Sequence, residues 1–430
     1  MYGVFKGNRY EWRCGVLARL IALLEGSRLF QLFIITACIQ GGVIVSQFLV
    51  FPWISPAEVG TIRSVETIIA LIVLAGSLGM QSIAVRESSE VDGLLLQGEV
   101  LQRVYMLIGL TSFVTVLGVC IGYGLLPVSI IGGYVLQACG LVFLTNLIRA
   151  STAFAQGVKA IREIYFALML ATTAGVLVHV LLTRIYGVHG WVLARYFGEG
   201  LCLLVVGWKL RAYVTSACDR RHFSWQKLIV MARSGALVNA SLFVRLIVDS
   251  LPILLLNYFT LPIDQVGYFG VAMLGLVAGI LPVTIIAQRA LPELVSAFED
   301  KEIFRKNYAL FVSTMLKVSS LTAVLLILAS LIWLFFSKGA YELTALYSLV
   351  LALSLPMKAM ALCCGTMLLV LRVFGLSLKI NIVEGCVVLL TLFSGVPLIG
   401  GWAGVLASLV GAACSAGLLF YFLRQRLAEL

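Results

Sequence analysis

The sequence predicts an all-α polytopic membrane protein of about twelve transmembrane helices. Of its 430 residues 61% are hydrophobic and 12% charged, with a mean hydropathy of +1.06, against about 45–50% apolar and about 25% charged in soluble domains. Apolar runs of about 20 residues, the length that crosses a bilayer, fill nearly the whole chain. Lys and Arg gather in alternate connections between those runs. A soluble globule is excluded, and little chain is left for a soluble catalytic domain. The formal charge of +11 reads as topological, since a nucleic-acid binder would not space its basic residues between apolar stretches of this length.

The elements follow from hydropathy, with Gly, Pro and charge clusters as punctuation. A first span over 29–52 follows Arg28 and ends at Phe51-Pro52-Trp53. The second, 61–85, is closed by Arg86; the third, 102–124, starts at Arg103 and the fourth, 129–150, reaches Arg149. Spans over 164–184 and 188–208 lie between Arg162 and Lys209, broken around Gly187 and Gly190. The seventh, 234–258, begins after Arg233, the eighth, 267–288, ends before Arg289, and the ninth, 308–335, follows Lys306. The last three are 343–370, before Arg372, then 377–398, before Gly400-Gly401, and 402–423, before Arg424. Residues 1–28 read as a cytoplasmic interfacial segment, because Arg9, Glu11, Arg13 and Arg19 interrupt any signal-peptide core.

Twenty-four of the 31 Lys and Arg fall at one face of this map, against Arg63, Arg184 and Lys338 at the other. The positive-inside rule therefore puts both termini in the cytoplasm of a cell whose inner membrane the chain crosses. Tryptophan prefers the headgroup level. Trp53, Trp191, Trp333 and Trp402 lie at expected outer boundaries, and Trp12, Trp208 and Trp225 at inner ones. The outer loops are very short, so no external domain is available for chemistry.

The ten cysteines sit mostly in apolar runs without CxxC or Cys/His spacing and read as small core residues. His179, His189 and His222 are isolated, and no HExxH, Walker loop or GxSxG occurs. No catalytic residue, metal, cofactor, nucleotide or nucleic acid is expected.

The polar stretch Arg211 to Arg233 divides the spans six and six. At an offset of 207, Val59-Gly60 matches Val266-Gly267 and Gln81 matches Gln288; at 213, Val192-Leu193-Ala194 matches Val405-Leu406-Ala407. These matches suggest parallel six-helix repeats, with an N-lobe over 29–210, a cytoplasmic linker over 211–233 and a C-lobe over 234–425. The stretch Phe51-Pro-Trp-Ile-Ser-Pro-Ala-Glu-Val-Gly60, followed by Gly76-Ser-Leu-Gly-Met-Gln-Ser-Ile-Ala-Val-Arg86, resembles the opening of the Wzx-type polysaccharide-unit flippases of the multidrug/oligosaccharidyl-lipid/polysaccharide (MOP) exporter superfamily. Gln265-Val-Gly-Tyr-Phe-Gly270, Ile280-Leu-Pro through Pro292-Glu293 and Pro397-Leu-Ile-Gly-Gly-Trp-Ala-Gly404 resemble its second lobe. The resemblance spans roughly 29–425 and implies two six-helix bundles around a V-shaped central cavity. It also implies a substrate, undecaprenyl-diphosphate-linked oligosaccharide, and candidate partners in a downstream polymerase and a chain-length regulator as well as membrane lipids.

Charges inside the hydrocarbon are costly and mark a wet cavity or a partner. Arg195 and Glu199, and Arg245 and Asp249, are each basic-then-acidic at i,i+4 on one helix face. Lys358 follows Pro356 near mid-span; Lys317 and Glu384 lie nearer the cytoplasm, and Arg63 with Glu66 at the outer end of the second span. Arg245 and Lys358, supported by Arg195, Arg63 and Lys317, are the candidate diphosphate ligands. Asn239, Ser241, Asn257 and Gln288 could hydrogen-bond sugars or pair helices. Asp249, Glu384 and Glu199 are the candidate coupling acids, because the proton occupancy of a buried carboxylate depends on whether its cation stays beside it. Five basic against four acidic interior residues lean toward an anionic cargo moved by alternating access. A cation-coupled multidrug exporter of the same superfamily is the first alternative, and a membrane-embedded polymerase or glycosyltransferase the second.

Overall fold

The computed structural model describes residues 39, 41–91, 93–125, 130–158, 160–218, 225–259, 261–297, 301–336, 341–371 and 373–429. Among these residues the chain is almost wholly helical and has no strand. Its helices are α1 (Gly41–Trp53), α2 (Pro56–Glu90), α3 (Leu94–Leu125) and α4 (Ile130–Ala138 and Leu141–Gly157, bent by 47°). The continuous stretch Ile161–Cys218 divides at Gly187 into α5 (161–186) and α6 (188–218). There follow α7 (Trp225–Tyr258), α8 (Ile263–Ala297), α9 (Lys301–Phe336), α10 (Glu342–Ala352 and Ser354–Val370, bent by 45°), α11 (Phe374–Ile399) and α12 (Trp402–Glu429). Length and apolar character alone qualify 7 helices as membrane spans, or 9 if each bent pair is one span. Dividing the 58-residue stretch at Gly187 and admitting the shorter α1 and the charged α7 brings these to the expected twelve. The protein is polytopic.

Boundaries depart from expectation where local chemistry extends a helix. The second span begins at Pro56 rather than 61 because Ser55 and Glu58 form a capping box: the Ser55 hydroxyl accepts the Glu58 N–H at 3.3 Å, and the Glu58 carboxylate accepts the Ser55 N–H at 2.8 Å. The loop expected from Tyr186 to Gly190 is one residue, Gly187, and α8 starts at Ile263. Within 211–233, α6 runs on to Cys218 and α7 starts at Trp225. Residues 1–28, and the start of the first span, lie outside the described residues. Trp191, expected at an outer boundary, is 2% exposed and packs in the N-lobe core.

The repeat matches meet in space. Val59-Gly60 on α2 and Val266-Gly267 on α8 lie against each other across the lobes. A methyl group on Gly60 would come within 2.1 Å of the Ile263 carbonyl oxygen, and one on Gly267 within 1.9 Å of that of Pro56. Only glycine allows this backbone-to-backbone approach. Gly187 and Gly400, 213 residues apart, have nearly the same left-handed geometry, φ 57, ψ −133 and φ 56, ψ −130. Glu58 lies against Gly187, and its counterpart at offset 207, Gln265, lies against Gly400 and accepts the Gly401 N–H at 3.3 Å. Val192 and Ala194 are buried while Leu193 between them is exposed; Val405, Ala407 and Leu406 repeat the pattern.

A second seam joins the lobes at the opposite end of α2. Leu78 (φ 44) and Gly79 (φ 68) break the helix, and the Gly235 carbonyl of α7 sits where a side chain on Gly79 would go. Leu228 and Met231 of α7 share a core with Met80, Ile83 and Ala84 of α2.

Candidate functional site

Two polar clusters lie within the membrane-spanning helices, one in each lobe. In the N-lobe, α2 places Arg63 and Glu66 one turn apart, and they pair at 2.5 Å. Gln47 of α1 closes the ring, accepting from Arg63 at 2.5 Å and donating to the other Glu66 oxygen at 2.7 Å. Arg195 of α6 bonds Glu199 at 2.7 Å and lies 3.9 Å from Glu66. The second Glu199 oxygen accepts the Thr145 hydroxyl of α4. Ser46 of α1 meets His179 Nδ1 of α5 at 3.1 Å. These groups are well enclosed: the four charged side chains are 13–28% exposed, and Arg195 Nε is buried without a hydrogen-bond partner.

A cavity of about 150 Å³ opens beside this network, lined by Ser46, Thr172, His179, Arg195, Glu199 and Cys202 among others. Most of its wall is apolar, from Val43, Val176 and Ala194 among others, and the polar groups gather at the Arg195–Glu199 side. Arg149, an exposed residue on α4, lies within electrostatic reach of Glu199 and Arg195. Thr145, Arg149, Thr152 and Gln156 form a stripe at i, i+4, i+7 and i+11 on that helix. A polar stripe on a membrane helix faces a wet surface rather than lipid.

The C-lobe cluster is looser. Arg245 and Asp249 lie one turn apart on α7, yet only 3.9 Å separates Arg245 Nε from the carboxylate. Lys358 reaches the other Asp249 oxygen at 3.5 Å. The α10 bend puts it there, since Pro356 falls in the first turn after the break at Leu353. Arg245 and Asp249 are 48% and 43% exposed, and Lys358 23%. Glu384 of α11 lies within electrostatic reach of all three and accepts a hydrogen bond from Ser415 of α12. Among the described residues no group of three His, Cys, Asp or Glu could hold a metal ion.

The expected residues divide accordingly. Arg63, Arg195 and Glu199 meet in the N-lobe network; Arg245, Asp249, Lys358 and Glu384 meet in the C-lobe. Asn239 takes the helix-pairing alternative of the two open to it, and Lys317 stands apart from the other candidate diphosphate ligands. Asn239 is buried at the α2 break, donating to the Leu74 carbonyl at 2.8 Å and facing the Ser77 hydroxyl at 3.5 Å, so its amide joins the lobes. Lys317 belongs to neither cluster; it is exposed on α9, on one face with Leu310, Leu321, Val324 and Leu328. Asn257 pairs with Ser64 of α2 at 2.8 Å, a helix–helix bond. The side chains of Ser241 and Gln288 lie outside the described residues. Gln47, Thr145, Arg149 and His179 were missed by sequence reasoning. A signal existed for two of them: Thr145 and Arg149 are one turn apart in an apolar span.

No protein-family model matches the sequence, and no curated protein does. Solved structures do match over nearly the whole chain. One, an inward-facing multidrug resistance MATE family transporter of the MOP superfamily, superposes with a TM-score of 0.71 at 15% identity over 96% of this chain and 98% of its own. The fold is that of the MOP-superfamily transporters. A MOP superfamily transporter from Pyrococcus furiosus, described as having a binding pocket of reversed polarity that suggests a different function, matches with a TM-score of 0.65, 14% identity and coverage of 95% and 98%. An outward-facing multidrug resistance MATE family transporter gives 0.65 and 14% over 93% and 94%. The MOP fold is thus seen with its cavity open to either side, the two end states of alternating access.

Proposed function

We propose that this chain flips a lipid-linked oligosaccharide, binding the diphosphate of its carrier lipid in the C-lobe. The observation that carries the reading is the Arg245–Asp249–Lys358 cluster. Its two cations come from different helices, are held at 3.5 and 3.9 Å rather than in tight pairs, and stay open enough for a phosphate oxygen to displace the carboxylate. Arg offers a bidentate fork and Lys a compact charge. In the N-lobe Arg63 and Arg195 are already committed to Glu66 and Glu199, and Arg149 is the cation left facing the wet stripe. With Arg149 counted in place of Lys317, the interior keeps five basic residues against four acidic.

Cargo release then follows from the lobes rocking about the glycine contact of α2 and α8, while the polyprenyl tail stays in lipid. Asp249 and Glu384 are the coupling acids in this scheme, since both sit beside cations that the phosphate would draw away; Glu199, locked by Arg195 and Thr145, serves the framework. We assign the bacterial cytoplasmic membrane and cytoplasmic termini from the basic asymmetry. A cysteine introduced at residue 222 of a cysteine-free chain should label only from the cytoplasmic side, and labelling only from outside would reverse the map.

The test is a cell whose surface polysaccharide depends on this protein. Arg245→Ala and Lys358→Ala should each cut polymer at least tenfold, with protein abundance unchanged. Normal polymer from both variants would remove the cluster from the mechanism. Multidrug export is the second reading, favoured by the multidrug MATE transporters among the solved structures. Efflux of a cationic dye that survives Arg245→Ala but not Asp249→Asn would support it.

A further inference from the structure

The observation that the flippase reading does not absorb is Lys317. Its helix α9 presents an apolar stripe, with Leu310, Leu321, Val324, Leu328 and Phe335 all exposed, spaced by eleven, three, four and seven residues so that they share one face. That is the face a membrane helix turns to acyl chains, and Lys317 stands in its middle. The residue is exposed, and among the described residues it has no hydrogen-bond or ion-pair partner. Its place on the outside of the lobe is fixed from a second direction. Met360, which faces it from α10, lies two residues after Lys358, about 200° round that helix, and so on the side turned away from the Asp249 cluster.

Lys317 lines a groove of about 530 Å³ between α9, α10 and α12, with Val312, Ser313, Leu316, Met360 and Phe420. It is a shallow, open groove, the shape that an acyl chain lies along rather than one that encloses a small molecule. Along the axis Lys317 lies about 27 Å from Phe335, eighteen residues at 1.5 Å each, so it sits near the far edge of a hydrocarbon layer about 30 Å thick. Side chains on a helix lean toward its N-terminus, which carries the Lys317 ammonium over the turn of Ser313 and toward the headgroups on that side. Arg305, exposed, continues the same i±4 row through Ala309 and Ser313 beyond the hydrocarbon.

We propose that this groove is a binding site for an anionic glycerophospholipid. One acyl chain lies against Val312, Leu316, Met360 and Phe420, and the lipid phosphate takes the Lys317 ammonium as counter-charge and the Ser313 hydroxyl as donor. Charge complementarity names the occupant. An unpaired ammonium in an apolar, lipid-facing groove at this depth needs an anion, and the group that bilayer leaflets supply there is a phosphate. A net anionic headgroup is preferred over a zwitterionic one, whose own ammonium competes for the phosphate. The site is independent of the transport reading, because it lies on the opposite side of α10 from the cargo cluster.

The experiment is native mass spectrometry of the full chain released from detergent, titrated separately with phosphatidylglycerol and phosphatidylcholine of matched chains and with undecaprenyl phosphate. The wild type should retain phosphatidylglycerol more tightly, and Lys317→Gln should weaken that retention about fivefold, the effect of one basic residue near a membrane surface. Lys317→Arg should keep it. Unchanged thermal midpoints would certify that the variants are folded, and Ser313→Ala gives a second, milder loss if Lys317→Gln fails to fold. Equal retention of both lipids, or full retention by Lys317→Gln, overturns the proposal. So does a Lys317-dependent loss confined to undecaprenyl phosphate, which would make the groove part of the cargo path.

Discussion

The N-lobe and C-lobe clusters hold nearly the same chemistry in opposite mechanical states. Each has an Arg and an acid at i,i+4, a further cation and a further carboxylate. In the N-lobe the groups are enclosed, bonded at 2.5–2.7 Å and braced by Gln47 and Thr145; in the C-lobe Arg245 and Asp249 are half open, and the pairs stand 3.5–3.9 Å apart. The lesson is that charge inventory does not assign function inside a membrane. Enclosure does, because a satisfied buried pair resists change while a loosely held one can exchange its partner for a ligand at little cost. The repeat sharpens the point. At offset 207, Arg63 and Glu66 correspond to Gly270 and Met273, and the aliphatic stem of Arg63 lies on Gly270 itself. The two lobes share a backbone plan and place their charges independently.

The largest expected effect tests enclosure directly. Arg195→Ala leaves Glu199 and Glu66 short of a counter-charge in an enclosed site and should cost about 3 kcal/mol of stability. Thr145→Val, which removes one hydrogen bond to a carboxylate, should cost about 2 kcal/mol, and Arg245→Ala less than about 1 kcal/mol. Thermal unfolding of the purified chain in detergent ranks the three. If Arg245→Ala proves as damaging as Arg195→Ala, the contrast between the lobes collapses.

The smallest effect on stability belongs to Asp249→Asn, within about 0.5 kcal/mol, since Asp249 and Arg245 are half exposed and the asparagine oxygen can still accept from Lys358. Its signature is functional. Transport into proteoliposomes under an imposed pH gradient should lose its pH response while the fold is unchanged; a full response would leave Asp249 a neutralising group only.

Much of the fold was legible because span length, apolar runs and punctuating charges are one-dimensional signals. The 207-residue match of Val59-Gly60 with Val266-Gly267 even pointed to the place where the lobes touch. What failed to show was tertiary. Lys358 looked solitary because its partner, Asp249, is 109 residues away and is brought within reach by the bend before Pro356. Lys317 and Lys358 have the same composition signal, a lysine in an apolar helix, and only the rotation of each helix separates an exposed residue without a charged partner from one beside Asp249. For Asn239 the choice between sugar ligand and helix pairing stayed open because nothing local announces the broken turn at Leu78 and Gly79 that its amide serves. Helix starts were misplaced by five residues where Ser55 and Glu58, polar and therefore read as loop, were the cap.

That broken turn carries a consequence for leakage. Were α2 and α7 to part, the Asn239 amide would lose its bonds to Leu74 and Ser77 inside a low-dielectric seam, at a cost of about 1–3 kcal/mol for each group left bare, while the Leu74 carbonyl would keep the Ser77 hydroxyl. Water or a hydroxylated cargo entering the gap restores both bonds. The seam therefore opens cheaply only where water or another polar group fills it as the two helices separate.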